Sequence, residues 1–118
     1  MENYITLYVV AGIGIALFTA SKLLSGKASS KVVAEKIANG ATVIDVRTRG
    51  EYETGAWPGA KNIPVDTLAG KMAKLPKNGG IVVYCASGAR AAQAVGMLKS
   101  AGFTDVVNAG GLRDMPRR

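Results

Sequence analysis

The sequence predicts an α/β domain with a central, mostly parallel sheet flanked by helices, preceded by one transmembrane helix. Three observations predict it. Helix-like and strand-like segments alternate along residues 30–118. The segment "IVVYC", residues 81–85, is apolar at nearly every position, as a central parallel strand covered on both faces requires. Residues 3–21, "NYITLYVVAGIGIALFTAS", hold no charged side chain. The chain therefore divides into a membrane helix over 3–24, a linker over 25–29 and a folded domain over 30–118.

As a helix, the nineteen residues 3–21 rise about 28 Å, close to the ~30 Å hydrocarbon core of a bilayer. Tyr4 and Tyr8 stand near one end, where interfacial aromatics belong. Gly12, Ala16 and Ala20 recur every four residues, a small-residue face suited to self-association of the helix. A cleaved signal peptide fits less well. Its start should be basic, whereas this one carries Glu2, and "KAS" at 27–29 is a poor small-x-small cleavage site. Lys22, Lys27 and Lys31 follow the apolar run. By the positive-inside rule they place the domain in the cytoplasm, on a single-pass protein of the inner membrane.

Within the domain, Ser29 or Ser30 caps a helix through "KVVAEKIA", with Val32, Val33 and Ile37 as its apolar face and Asn39-Gly40 as its end. "ATVID", 41–45, is a β-branched strand ending in an acid. "VRTRGEYETGAWPGAKNIP" is mostly loop, with one helical turn at residues 51–54. "DTLAGKMAKL" reads as a weak amphipathic helix with Leu68, Met72 and Leu75 on one side. The strand at 81–85 is followed by the helix "SGARAAQAVGMLKSAG", closed by Gly102. "DVVN", 105–108, is a third strand and "AGGLRDMPRR" a tail. Ligands of such sheets bind off the carboxyl ends of the strands. Asp45 and Cys85 both stand at strand ends and are expected on one rim.

Composition narrows the chemistry. There is one cysteine and no histidine. An internal disulfide, a cysteine-rich or histidine-based metal site, a Cys-His pair and a Ser-His-Asp triad are all excluded. No metal and no cofactor is expected. The chain carries 15 basic and 8 acidic side chains, a net +7. Without Glu2, Lys22 and Lys27, residues 28–118 carry 13 basic and 7 acidic groups, a net +6. Such a domain is drawn to anionic lipid and to small anions. No arginine run interleaved with aromatics points to nucleic acid, and no nucleic-acid partner is expected.

Between Cys85 and Arg90 lie Ala86, Ser87, Gly88 and Ala89. Small side chains let the backbone curl, and Gly88 permits a conformation closed to other residues. Backbone N–H groups can then turn inward as an anion nest, reinforced by the N-terminus of the following helix. The same features favour the thiolate form of a cysteine, without any imidazole. Arg90 either supplies a fixed positive charge to that site or holds the loop by pairing with Asp45 or Glu51. Against a nucleophilic Cys85 stands a buried, inert thiol, a common fate of free cysteine. Arg47 and Arg49, in the loop after the first strand, are either ligand contacts or solvated charges.

"VIDVRTRGEYETGAWPGAKNIP", "VVYCASGARAAQA" and "GFTDVVNAGGL" together resemble the rhodanese family of sulfurtransferases. Three motifs in order cover about residues 30–115, essentially the whole of the folded part. The resemblance implies a three-layer α/β fold and an active-site loop from Cys85 to Arg90, with the N–H groups of residues 86–90 around a sulfur. It implies that Cys85 attacks the outer sulfur of a small anionic donor such as thiosulfate and becomes a persulfide. Cyanide, a thiol or a protein cysteine then takes the sulfur. Asp45 matches the acid that orders the site, Arg47 the arginine of the same motif, and Glu51 the acid before an aromatic, here Tyr52. Gly110 and Gly111 match a late double glycine that looks structural.

The chain departs from that pattern in two places. "GAWPGA", residues 55–60, stands where family members commonly read Gly-His-Ile-Pro-Gly-Ala. Trp57 is thereby a candidate for the pocket wall or for a partner surface. Ala86 stands where a basic residue is common, which removes a charge at the mouth of the site and weakens the expected hold on thiosulfate. Two other functions compete. A cysteine phosphatase or arsenate reductase has five residues between cysteine and arginine, and this chain has four. A non-catalytic membrane-tethered module that binds a protein partner would not need Cys85.

Overall fold

The computed structural model describes residues 26–117. The expected membrane helix over 3–24 lies outside the described residues, and so does its self-association. Among the described residues no helix is long and apolar enough to cross a membrane.

Helix α1, Ser30–Ala38, begins where Ser29 Oγ accepts the Val32 N–H at 3.2 Å and ends at Asn39-Gly40, with Gly40 at φ +88°. Only Val33 of its apolar residues is fully buried. Strand β1, Thr42–Asp45, leads into the short helix α2, Arg49–Glu53. Strand β2, Lys61–Asn62, pairs in parallel with the end of β1. Strand β3, Ile81–Cys85, is buried at every position, as its composition requires. Helix α3 runs Ala89–Ser100 and strand β4 runs Val106–Gly111. The four strands lie in the order β2-β1-β3-β4, all parallel.

Three expectations change. The segment 66–75 forms two 3-10 helices, Val65–Gly70 and Met72–Lys74, not one α-helix. Gly70 sits in its middle at a cost of about 1 kcal/mol, and a ten-residue helix with so weak an apolar face does not hold alone. Leu68 and Leu75 nevertheless reach the core. The polar dipeptide Lys61-Asn62 is a strand because β1 offers it a free edge, not because its own residues favour one. Strand β4 continues past Asn108 through the double glycine, since Tyr84 and Cys85 pair with Gly110 and Gly111 across a bulge.

Two apolar clusters make the layers. On one face of the sheet Ile44, Val46, Val83 and Cys85 pack under α3 through Ala94, Val95 and Leu98. On the other, Val43, Val82 and Tyr84 pack under α1 through Val33, with Trp57 and Met115 beside them. A fully buried Leu, Ile or Val side chain contributes about 1.5–3 kcal/mol. An exposed pair such as Arg49–Glu53 contributes under about 1 kcal/mol. The clusters hold the domain, and the strand alternation assigns each rim side chain to one of them.

Candidate active site

Cys85 closes β3, and α3 starts four residues later. The turn between them depends on Gly88, the N-cap of α3, at φ +104°. That conformation aims the Gly88 N–H at Cys85 Sγ, 2.9 Å away, and the Ala91 N–H also donates to the sulfur, at 3.4 Å. The cysteine side chain thus caps the helix N-terminus, where orphan N–H groups and the positive end of the dipole favour negative charge. Cys85 is 1% exposed, while Ala86, Ser87 and Ala89 around it are exposed. A hollow of about 450 Å³ beside α2 is lined by none of residues 85–90. The sulfur is therefore served by a backbone ring and not by that cavity.

Arg90 lies in the first turn of α3 and grips Glu51 with both amine nitrogens, at 2.7 and 3.0 Å. Of the two acids open to it in the sequence, the structure selects Glu51. Thr48 sets Glu51 in place through a reciprocal capping box on α2. The two hydrogen bonds from Arg90, then the Thr48 N–H, lower the Glu51 carboxyl from 4.5 to about 2. The Arg90 guanidinium is raised in turn, by Glu51 first, with smaller contributions from Cys85 and Asp45. This pair ties α2 to the reactive loop.

A depressed carboxyl adds stability that is complete above pH 4.5 and shrinks as pH falls towards 2. The Glu51 side chain is 36% exposed, so solvent screening reduces the contribution to about 1 kcal/mol. We expect Glu51→Gln to lower stability by that amount at pH 7, with the gap to the natural protein narrowing at pH 3. Urea melts at the two pH values check it. An unchanging gap would mean that the pair contributes nothing through charge.

Asp45, Arg47 and Trp57 form a separate group. Asp45 is in register with Tyr84, not with Cys85, so its side chain leaves the opposite face of the sheet. The carboxylate is fully buried. It accepts from Arg47 Nε and Nη2 at 2.7–3.1 Å and from the Tyr84 hydroxyl at 2.9 Å. Asp45 raises the Arg47 guanidinium, chiefly through these hydrogen bonds. Burial pushes the Tyr84 phenol up to about 12, so it stays a donor. Arg47 also donates to the Gly55 carbonyl at 2.7 Å and lies over the Tyr84 ring. The Trp57 N–H donates to the Tyr84 hydroxyl, and its indole N–H to the Pro116 carbonyl. These side chains fasten the 55–57 loop and the C-terminal segment to the sheet. The expected shared rim of Asp45 and Cys85 holds for the backbone and not for the side chains.

Two contributors escaped the sequence reading. Ala91 lies one residue beyond the loop as delimited there, yet its N–H reaches the sulfur. Asn108 is buried. Its amide nitrogen donates to the Gly88 carbonyl at 3.2 Å and its amide oxygen accepts the Gly110 N–H at 2.8 Å. It thereby holds Gly88 from its carbonyl side, while the Gly88 N–H faces Cys85. A buried asparagine in a strand was the available signal, since such a group must be paired.

The Rhodanese-like domain family model matches residues 29–114. The chain is 36% identical over 66 residues to a sulfurtransferase of Allochromatium vinosum, covering 56% of this chain and 62% of that protein. It is 39% identical over 74 residues to the thiosulfate sulfurtransferase PspE of Escherichia coli, covering 61% of this chain and 71% of that one. Among solved structures, a rhodanese with anions from E. coli superposes with a TM-score of 0.61 at 38% identity, over 65% of this chain and 95% of that chain. Motif order, parallel sheet and cysteine loop agree with these matches, and the chain belongs to the rhodanese-like family.

Proposed function

We propose that the protein is a sulfurtransferase that works through a persulfide on Cys85. The observation that carries this reading is the pair of N–H bonds from Gly88 and Ala91 to Cys85 Sγ. The Cys85 thiolate attacks the outer sulfur of thiosulfate or another sulfane donor. The donor S–S bond breaks and sulfite leaves with the bonding pair. The backbone ring then faces the terminal sulfur of the persulfide, whose charge it is placed to hold. Cyanide or a thiol attacks that sulfur and returns Cys85 as the thiolate. Asp45 and Arg47 brace the sheet and the 55–57 loop through Tyr84 and stand outside the sulfur-transfer step. The likeness to the thiosulfate sulfurtransferase PspE supports thiosulfate as the donor, whereas the alanine at 86 removes a charge that would help to hold it. A phosphatase reading gains nothing from the geometry, because the loop is one residue short.

The same reading includes a membrane helix over residues 3–24, with the domain on the cytoplasmic side and copies associating through Gly12, Ala16 and Ala20. Nineteen uncharged residues and the lysines that follow support it.

The experiment is intact mass after thiosulfate treatment, beside Cys85→Ser. We expect a gain of one sulfur atom in the natural protein, lost on adding cyanide and absent in the variant. No gain with thiosulfate but a gain with a persulfide donor would change the donor. No gain with either, in folded and reduced protein, would return the domain to a binding role.

A further inference from the structure

A shallow hollow of about 550 Å³ lies between residues 56–58 and the C-terminal segment 112–117. Its apolar lining includes Trp57, Leu112 and Met115. Arg113 and Arg117 stand on it, both exposed. The acid in that segment, Asp114, is already taken by Lys27 Nζ at 3.1 Å and by the Gly111 N–H at 2.9 Å. Trp57 and Met115 are buried and floor the hollow, so the exposed charged groups at its rim are the two arginines, which suit the phosphates of an anionic bilayer.

The course of the chain points to the same occupant. Lys27 bridges to Asn108 on the outer edge of β4, and the Ala28 N–H donates to the Asn108 carbonyl at 2.7 Å. With the Lys27–Asp114 ion pair, these contacts bring the chain into the domain directly beside the C-terminal segment. Four steps of chain separate Ala28 from residue 24, the end of the expected membrane helix, a reach of about 14 Å at full extension. Attraction to a negatively charged leaflet acts within about 8–10 Å, which a tether short of full extension allows.

We propose that the hollow at Trp57, Leu112 and Met115 docks on anionic phospholipid headgroups, with Arg113 and Arg117 contacting phosphate. This rests on the membrane-helix reading above. Gly111, next to Leu112, abuts Ala86, so the docked face borders the reactive loop.

Trp57 is the only tryptophan in the chain and reports on this face alone. The full-length protein is reconstituted into phosphatidylglycerol nanodiscs that carry lipids brominated high on the acyl chain. We expect Trp57 emission to be quenched there and much less in phosphatidylcholine discs. The double variant Arg113→Gln, Arg117→Gln should weaken docking roughly 30-fold and lose the quenching. Sodium carbonate extraction of native membranes separates the two readings. Protein that resists extraction but stays unquenched in anionic discs overturns the docking face and leaves the hollow to a protein partner. Protein released by carbonate overturns the membrane helix and the docking that rests on it.

Discussion

Gly111→Ala is expected to slow sulfur transfer roughly 100-fold and to destabilise the domain. A Cβ at position 111 would lie 2.3 Å from the Ala86 carbonyl oxygen and 2.9 Å from its carbon. Both are backbone atoms of the reactive loop, so no side chain can swing aside. Either β4 or the loop must move. Overpacking of this kind costs about 1–3 kcal/mol. Moving the loop withdraws the Gly88 N–H from Cys85, and displacement of about 1 Å at a reacting centre costs roughly 100-fold in rate. Persulfide formation by stopped mixing and a thermal melt would check both effects. Gly79→Ala is the control, since a Cβ there meets nothing within 4 Å. A Gly111→Ala protein with normal turnover would mean that the loop is not held by β4.

Asp45→Asn is expected to separate stability from chemistry. The substitution keeps the side-chain shape but leaves the Arg47 guanidinium buried without its counter-charge. Breaking such a buried pair costs about 3–5 kcal/mol. The urea midpoint should fall by roughly 2 M for a domain of this size. Persulfide formation per folded molecule should stay within roughly three-fold, because the carboxylate leaves the face of the sheet opposite Cys85. A drop of about 100-fold in still-folded protein would show instead that Asp45 orders the reacting groups directly.

The contrast shows what could be read from the chain. The loop from Cys85 to Arg90 was legible because an apolar strand, small residues and a helix follow one another without interruption. The Thr48-x-x-Glu51 capping box was equally local and could have placed α2 two residues earlier than the helical turn expected there. The face of Asp45 was not legible. Alternation along β3 puts Tyr84 and Cys85 on opposite sides, but only the register between β1 and β3 says which of them Asp45 joins. The contact of Gly111 with Ala86 and the bonds of Asn108 to the loop are likewise products of tertiary placement. Strand β2 could not be foreseen, since two polar residues carry no strand signal of their own.

The near-complete burial of Cys85 bears on how the protein survives its own chemistry. Oxidation of a thiolate past the sulfenic stage adds two or three oxygens to one sulfur and is mostly irreversible. The ring formed by residues 85–91 bonds the sulfur through Gly88 and Ala91 and lies close around it. The higher oxyacids and mixed disulfides with bulky thiols both need more room around the sulfur than a single added sulfur atom. On the proposed persulfide mechanism an acceptor would not have to touch Cys85. It would meet the outermost sulfur, with the permanent cysteine sheltered beneath it.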